Sequence, residues 1–526
     1  MQTPPTPAAP RVGPSTRRFV AGLLSAIVPG LGHASIGRRR PAALFALPIV
    51  LVVVVVVGLM LTSDPVVVAA RLADPDVLAA LLVLQVAFLA WRLLAVGSSM
   101  RAVSVPATRA VDRILIAVVL AMVVIPQAGL AYATAVARDV VLEITAPGQE
   151  PSVWVPPSAS PTFRTLAPGI SASPSGPTAT PAAPRMTILL IGMDSGVGRN
   201  TALTDTMIVA SLDPVAKTVS MLSIPRDTVD VPLPDGRTFR GKLNGLVSWV
   251  RHHPSDFPGS HGNGQAVLAA AVSELLHVKI DHWAQVDLRG FISLVDSVGG
   301  INVTVDHTFC DPTYDEYGLN GFGIPAGRWH LDGTHALAYA RIRKAAGEND
   351  FTRAARQQQV IVAIRDRVVR GGFLDDPIGF LRSLGDTVQT TVPPRLLPDY
   401  VALARQIDAR RVYREVINRP LVRGGRNDPR GYVLIPDLAA IRKLAGRLFP
   451  PSGSLPTAGD RPPTDRPDTS RAERAPSIGC HPAPRPRPTP RPTPRPTPRP
   501  SPTPSPPPSE PPSPEPTDSP EPTPIP

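Results

Sequence analysis

Three stretches of this chain, residues 41–62, 77–97 and 112–135, are apolar and nearly free of charge over a length that crosses a bilayer as helix. A helix that is apolar all round has no face to give to water, so these stretches constrain the fold before anything else does. A fourth, "FVAGLLSAIVPGLGHASIG", is too short to span and is interrupted by Pro29, Gly30 and Gly32. Basic residues set the orientation. Arg11, Arg17 and Arg18 precede that short stretch, and Arg38, Arg39 and Arg40 follow it. Both clusters stay cytoplasmic if the stretch lies in the interface or re-enters. The 63–76 loop carries Asp64, Arg71, Asp74 and Asp76 and belongs outside; the 98–113 loop carries Arg101, Arg109, Asp112 and Arg113 and belongs inside. Trp91 and Arg92 suit the inner end of the second span. Three crossings place everything after about residue 136 outside the cytoplasm, and such spans are too many and too long for a signal peptide.

The rest divides by composition. Residues 1–40 form a cytoplasmic N-terminus and 41–136 the three spans. Residues 137–185, rich in Pro, Ser and Thr, read as an extended linker, and 186–450 as a globular domain. From 451 to 526 the chain holds too little apolar surface to build a core and reads as a disordered Pro-rich tail. That tail is either a solvated spacer or a polyproline arm whose basic block touches anionic wall polymer. A net charge of +12 would suit nucleic acid, but five of the arginines lie at 485–499 in the tail and others flank the spans, so no nucleic-acid face is expected. Outside the cell, Cys310 and Cys480 either bridge, tying the tail to the domain, or remain free thiols, or pair with another chain. His252, His253, His330 and His335 lack the spacing of a zinc site.

Within the domain, "TILLIG", "TMIVASL" and "TVSMLSI" read as strands, the last two joined by a turn at "DPVAK". "GQAVLAAAVSELLHV", "LRGFISLVDSVGG" and "DFTRAARQQQVIVAIRDRVV" read as helices, "IDHWAQVD" and "INVTV" as strands, and 306–332 as irregular. The fold class is therefore α/β, a mixed β-sheet flanked by helices. An antiparallel hairpin brings Asp205 and Arg226 to one end, and a first strand parallel to the third delivers Asp194 there too. "AYARIR" reads as a strand with Tyr339, Arg341 and Arg343 on one face, a placement of two guanidinium groups that asks for an anion. Asp350 reads as a helix N-cap, with Arg353 and Gln357 stacked behind it. Paired carboxylates for a hard cation beside arginines for phosphoryl oxygens suit a pyrophosphate with Mg²⁺.

"LLIGMDSG…LTDTMIVASLDPVAKTVSMLSIPRDT", "GKLNGL", "VDLRGFISLVDSVGGINV", "LDGTHALAYARIR" and "DFTRAARQQQVI" together resemble the LytR–CpsA–Psr family over about residues 186–370, and more weakly to about 449. The resemblance implies an extracytoplasmic phosphotransferase that moves a glycopolymer from a polyprenyl-pyrophosphate carrier to peptidoglycan, with the lipid chain in an apolar pocket. It implies Asp194 and Asp205 as Mg²⁺-associated acids. It also implies Arg226, Arg341, Arg343, Arg353 and Gln357 as pyrophosphate contacts, Asp350 as their orienting acid, and Lys242 and Asn244 as further candidates. The family often has an Arg two residues before the aspartate of "TDTM"; here Leu203 stands there, and Arg199 is the nearest substitute. An extracytoplasmic pyrophosphatase and a non-catalytic wall-binding protein are the competing expectations.

Overall fold

The computed structural model describes residues 14–72, 74–103, 110–145, 151–166, 185–194, 203–385, 387–460, 473–474 and 480. Arg199 and the 485–499 arginines lie outside them. Helices Arg39–Thr62, Pro75–Arg101 and Ala110–Thr145 are long and apolar enough to cross a membrane, at the three expected places. The short N-terminal stretch folds as Pro14–Ile27 and Leu31–Ser35. Gly30 allows the bend between them: its φ of 99° is left-handed, and any side chain there would collide with the Ala42 carbonyl.

A six-stranded sheet organises the domain, in the order Val388–Thr390, His282–Asp287, β1 (Met186–Asp194), β2 (Leu203–Asp213), β3 (Thr218–Ser223) and Val412–Val416. β2 is antiparallel to both β1 and β3, so β1 and β3 run the same way, as the hairpin argument requires. Alternate side chains supply two cores. Leu189, Ile191, Met207, Val209 and Leu222 pack under helices Gly264–Leu276, Leu246–His252 and Leu438–Leu448. Ile208, Ala210 and Met221, with Ile188 and Leu190, face Asp350–Val369 and Leu397–Gln406. Burial on both faces explains why β1 reads as a continuous apolar run rather than an alternating one.

Several expectations are corrected. "AYARIR" is not a strand: Gly333–Arg341 is a helix capped by Asp332, whose side chain accepts from the His335 N–H. Tyr339, Arg341 and Arg343 therefore share no strand face, and Tyr339 is buried with its hydroxyl donating to Gln359 at 2.7 Å. The N-cap of Asp350–Val369 is Asn349, closed into a capping box with Thr352, so Asp350 is the first helical residue. The 306–332 stretch is not irregular but holds strands Phe309–Glu316, Leu319–Ile324 and Gly327–Leu331.

Nor is 137–185 a spacer throughout. Ala110–Thr145 stays helical through its first residues, while Val153, Trp154 and Phe163 are buried in the main core, Trp154 against Phe257. The domain also runs past residue 450. Ser452 and Gly453 donate to Asp213, Arg414 and Asp460 exchange backbone bonds, and Cys310 is bridged to Cys480. Of the three options for the cysteines, the bridge is the one formed.

The anchor packs on the domain directly. Pro65–Leu72 lies against Leu397–Gln406, Ala110–Thr145 against Pro377–Gly385, and Arg405 Nη2 meets Asp64 Oδ2 at 2.6 Å.

Candidate functional site

The hairpin register extends beyond the last paired strand residues. Ile208 lies opposite Ser223, and the Ile224 N–H donates to the Met207 carbonyl at 2.9 Å. Continuing that pairing sets Asp205 directly across from Arg226, and their side chains meet, Nη1 to Oδ2, at 2.8 Å. Asp205 is also the extra residue of a β-bulge: Gly192 pairs with Thr206 and Met193 with Thr204, so nothing on β1 opposes it. A bulge re-aims the side chain it carries. Gly192 permits the close approach, since a Cβ there would come within 2.9 Å of the Thr206 Cβ.

The first turn of Asp350–Val369 closes the other wall. Asp350 Oδ1 lies 2.9 Å from Arg353 Nη2, 3.6 Å from Arg343 Nη1 and 4.0 Å from Arg226 Nη2. Gln357 donates to the Ala340 carbonyl at 3.3 Å. Between the walls is a cleft of about 330 Å³, counting its open mouth, at the small end for ligand sites. Asp205, Arg226, Asp227, Asp350, Arg353 and Gln357 line it.

Arg341 serves an adjoining cluster. Its guanidinium spans both Asp194 oxygens at 3.4 Å and reaches Glu316 Oε1 at 3.2 Å. Arg343, two residues on, links this cluster to Asp350. Lys242 Nζ donates to Asp227 at 2.8 Å. Asn244 acts through its backbone, donating to the Arg226 carbonyl and accepting from the Thr204 hydroxyl.

Asp227 and Glu316 were missed in the sequence. Asp227 adjoins Arg226 in "PRDT" and was legible as a third acid of that motif. Glu316 comes from a hairpin 25 residues away from Arg341, with no local signal.

Charge and burial define what this arrangement can do. Burial opposes the Arg226 charge, but Asp205 first, then Asp350 and Asp227, outweigh it and raise its pKa. Arg341 is raised in the same way, burial being overcome by Asp194 and Glu316. Arg353 is the exception: burial, partly offset by Asp350 and reinforced by Arg226, brings it down to about 10. Among the described residues, five carboxylates (Asp194, Asp205, Asp227, Glu316, Asp350) and five cations (Arg226, Lys242, Arg341, Arg343, Arg353) are joined by ion pairs across the cleft and the adjoining cluster. Asp205 Oδ1 is buried with no hydrogen-bond partner among the described residues. The cleft and its adjoining cluster are thus densely charged, with guanidinium donors and, in Asp205 Oδ1, a buried carboxylate oxygen outside any hydrogen bond among the described residues.

Comparison with known proteins points the same way. Residues 172–430 match the LytR_cpsA_psr family, and residues 20–140 match a family of unknown function, DUF6677. The chain is 31% identical over 204 residues to the polyisoprenyl-teichoic acid–peptidoglycan teichoic acid transferase TagU of Halalkalibacterium halodurans, covering 39% of this chain and 60% of that protein. It is 36% identical over 164 residues to the transferase TagV of Bacillus subtilis, covering 31% of this chain and 38% of that one. The cell wall biosynthesis protein LcpA of Corynebacterium glutamicum is 31% identical over 202 residues, which make up 36% of this chain and 37% of LcpA. The chain therefore spans less than two thirds of each. The crystal structure of B. subtilis TagV overlaps at a TM-score of 0.40 and 26% identity, over 50% of this chain and 97% of that one. The family match over 172–430, with these relatives and the five ordered motifs, places the domain in the LytR–CpsA–Psr family.

Proposed function

We propose that this protein transfers a glycopolymer from a polyprenyl-pyrophosphate carrier to peptidoglycan by Mg²⁺-assisted phosphoryl transfer. The observation that carries it is the cleft itself: Asp205, Arg226, Asp350, Arg353 and Gln357 converge from three separate segments on one cleft. In the step, an acceptor hydroxyl attacks the glycan-side phosphorus. A phosphodiester forms, the bond to the bridging oxygen breaks, and polyprenyl phosphate leaves with the electron pair. Arg226, Arg343 and Arg353 donate to the phosphoryl oxygens as charge moves toward the leaving group. Arg341, held by Asp194 and Glu316, extends that donor array. The hydroxyl proton passes to a carboxylate of the cleft.

Mg²⁺ fits the donor set. Among the described residues no group of three His, Cys, Asp or Glu side chains forms a protein cage. Mg²⁺ commonly takes only one or two carboxylates beside substrate phosphates and water. Asp205 Oδ1, buried and without a hydrogen-bond partner among the described residues, is an oxygen for it, with Asp194 as the second candidate. Bound there, it would neutralise diphosphate charge.

The extracytoplasmic placement rests on the loop charges. Packing of Pro65–Leu72 against the domain, with the Asp64–Arg405 pair, supports it by setting the acidic 63–76 loop and the domain on one side.

The test uses the full chain in detergent with a radiolabelled polyprenyl-pyrophosphate glycan and peptidoglycan sacculi. Label should enter the sacculi with Mg²⁺ and not with EDTA. It should fall on the order of 10²-fold in Asp205→Ala and Arg226→Ala, the usual scale for one charge-stabilising group. Soluble label without attachment would make the protein a pyrophosphatase. No turnover with intact donor would end the catalytic reading.

A further inference from the structure

Beyond the cleft, one surface is built unlike the rest of the domain. Helix Leu246–His252 buries Leu246, Val247 and Val250 in the core and turns Trp249 outward, 45% exposed. His253 stacks on Trp249 with ring centroids 4.0 Å apart and planes 17° from parallel, and Phe239 meets Trp249 edge-on at 6.4 Å. Each ring is held in place. His253 Nδ1 lies 3.1 Å from the Trp249 carbonyl, and Gly241 leaves the space that the Phe239 ring fills, since a Cβ there would come within 2.8 Å of Cζ. An indole left this exposed, but held by contacts with two other rings, is a contact surface rather than a core residue that failed to bury. Arg240 follows Phe239 in the chain and Arg251 lies on the same helix as Trp249; both are exposed and have no carboxylate partner among the described residues, unlike the compensated cations of the cleft.

We propose that Phe239, Trp249 and His253, with Arg240 and Arg251, form the docking platform for the acceptor glycan strand. This rests on the transferase reading above. The apolar C–H face of a pyranose ring packs on indole, and the unpaired guanidinium groups suit the carboxylates that peptidoglycan carries.

Connection to the cleft is short. Arg226 holds Asn244 through its carbonyl, Asn244 sits in the turn Leu243–Gly245, and that turn leads straight into Leu246–His252. Lys242, paired with Asp227, lies between Phe239 and that turn. Phe239, Lys242, Asn244 and Trp249 thus belong to one continuous stretch of chain that borders the diphosphate site.

Exposed tryptophan also suits a membrane surface, but the placement argues against it. Leu246–His252 covers the sheet face opposite Leu397–Gln406, and it is Leu397–Gln406 that packs on the anchor. The rings therefore lie on the side turned away from the anchor contact.

The experiment measures co-sedimentation of the full chain in detergent with polymer-free peptidoglycan sacculi, without donor. Anionic phospholipid vesicles are run in parallel. Trp249→Ala should bind sacculi about tenfold more weakly, the scale expected for truncating an aromatic anchor. Trp249→Phe should recover most of that loss, and vesicle binding should not change. In the transfer assay Trp249→Ala should raise the KM for sacculi about tenfold and leave release of polyprenyl phosphate at saturating acceptor within twofold. Unchanged sacculus binding in Trp249→Ala, or a loss on vesicles instead, overturns the platform. Absence of transfer by wild type together with loss of sacculus binding by Trp249→Ala would sink the transferase reading while leaving the glycan platform standing.

Discussion

Replacing Asp350 with Asn removes the one negative charge shared by three guanidinium groups, at 2.9, 3.6 and 4.0 Å. Arg353 has most to lose. Its side chain is 8% accessible, and burial has already brought its pKa to about 10 with the carboxylate in place. Breaking a fully buried pair by removing one partner costs about 3–5 kcal/mol. Asp350 is 29% accessible, and Asn still offers an oxygen to Arg353, so a loss of about 2 kcal/mol is expected. In a domain of this size that lowers Tm by roughly 4–8 °C. Among the described residues the cleft and adjoining cluster then hold five cations against four carboxylates, and inorganic pyrophosphate should bind the variant more tightly than wild type. Saturating the variant at 100 times Kd would restore about 2.7 kcal/mol, enough to erase the difference. The assay is thermal unfolding of the full chain in detergent, followed by tryptophan fluorescence, with and without metal-free pyrophosphate. Equal Tm values without ligand, or equal stabilisation of both proteins by pyrophosphate, would show that Asp350 is not the counter-charge of this site.

Three further outcomes test the fold around it. Trp154→Ala should cost about 3–5 kcal/mol in urea unfolding, because the ring is 1% exposed and packs on Phe257; a spacer role for its segment requires no effect. Burial alone would raise the Asp213 carboxyl, but hydrogen bonds from Ala216, Gly453, Ser452 and Val215 outweigh it and hold its pKa below the ordinary 3.8. Its stabilising contribution is therefore complete above 3.8 and fades as pH falls through the lower folded value. Asp213→Ala should lose about 1–3 kcal/mol at neutral pH and show a flatter acid limb than wild type when urea midpoints are compared down to about pH 2. Arg405→Asp should raise hydrogen exchange in Leu397–Gln406, and the swap with Asp64→Arg should reverse most of it. The energy involved is about 0.2–1 kcal/mol, because both side chains are 32% accessible.

Much of this was legible because it depends on local chemistry. The β2–β3 hairpin follows from two apolar runs around "DPVAK", and once the hairpin exists, arithmetic alone sets Asp205 opposite Arg226. The helix Asp350–Val369 was equally plain from its periodicity, and it carries Arg353 and Gln357 to the cleft. What was misread depends on tertiary context. "AYARIR" has no strong local preference, and its helix is fixed by the Asp332 cap and by burial of Ala336, Ala338 and Tyr339. Asp350 and Asn349 are both good caps, and the capping box with Thr352 decides for Asn349. The packing of Trp154, from within a Pro-rich stretch, into the main core, and the Glu316 contact to Arg341, leave no periodic trace because each joins segments distant in sequence.

Charge balance ties the proposed metal to the proposed substrate. With five cations paired to five carboxylates across the cleft and the adjoining cluster among the described residues, a bare diphosphate entering the cleft would leave the carboxylates facing like charge, at a cost that grows in a partly buried site. A diphosphate that arrives with a divalent cation brings far less net charge. The guanidinium groups can then exchange carboxylate partners for phosphoryl oxygens while the carboxylates turn to the cation. Asp205 is placed for that exchange, with one oxygen held by Arg226 and the other unengaged on a bulge that aims it inward. On this argument metal dependence and selectivity for diphosphate have one origin. Removing a carboxylate such as Asp350 should loosen both together, admitting metal-free anions that the wild-type cleft rejects.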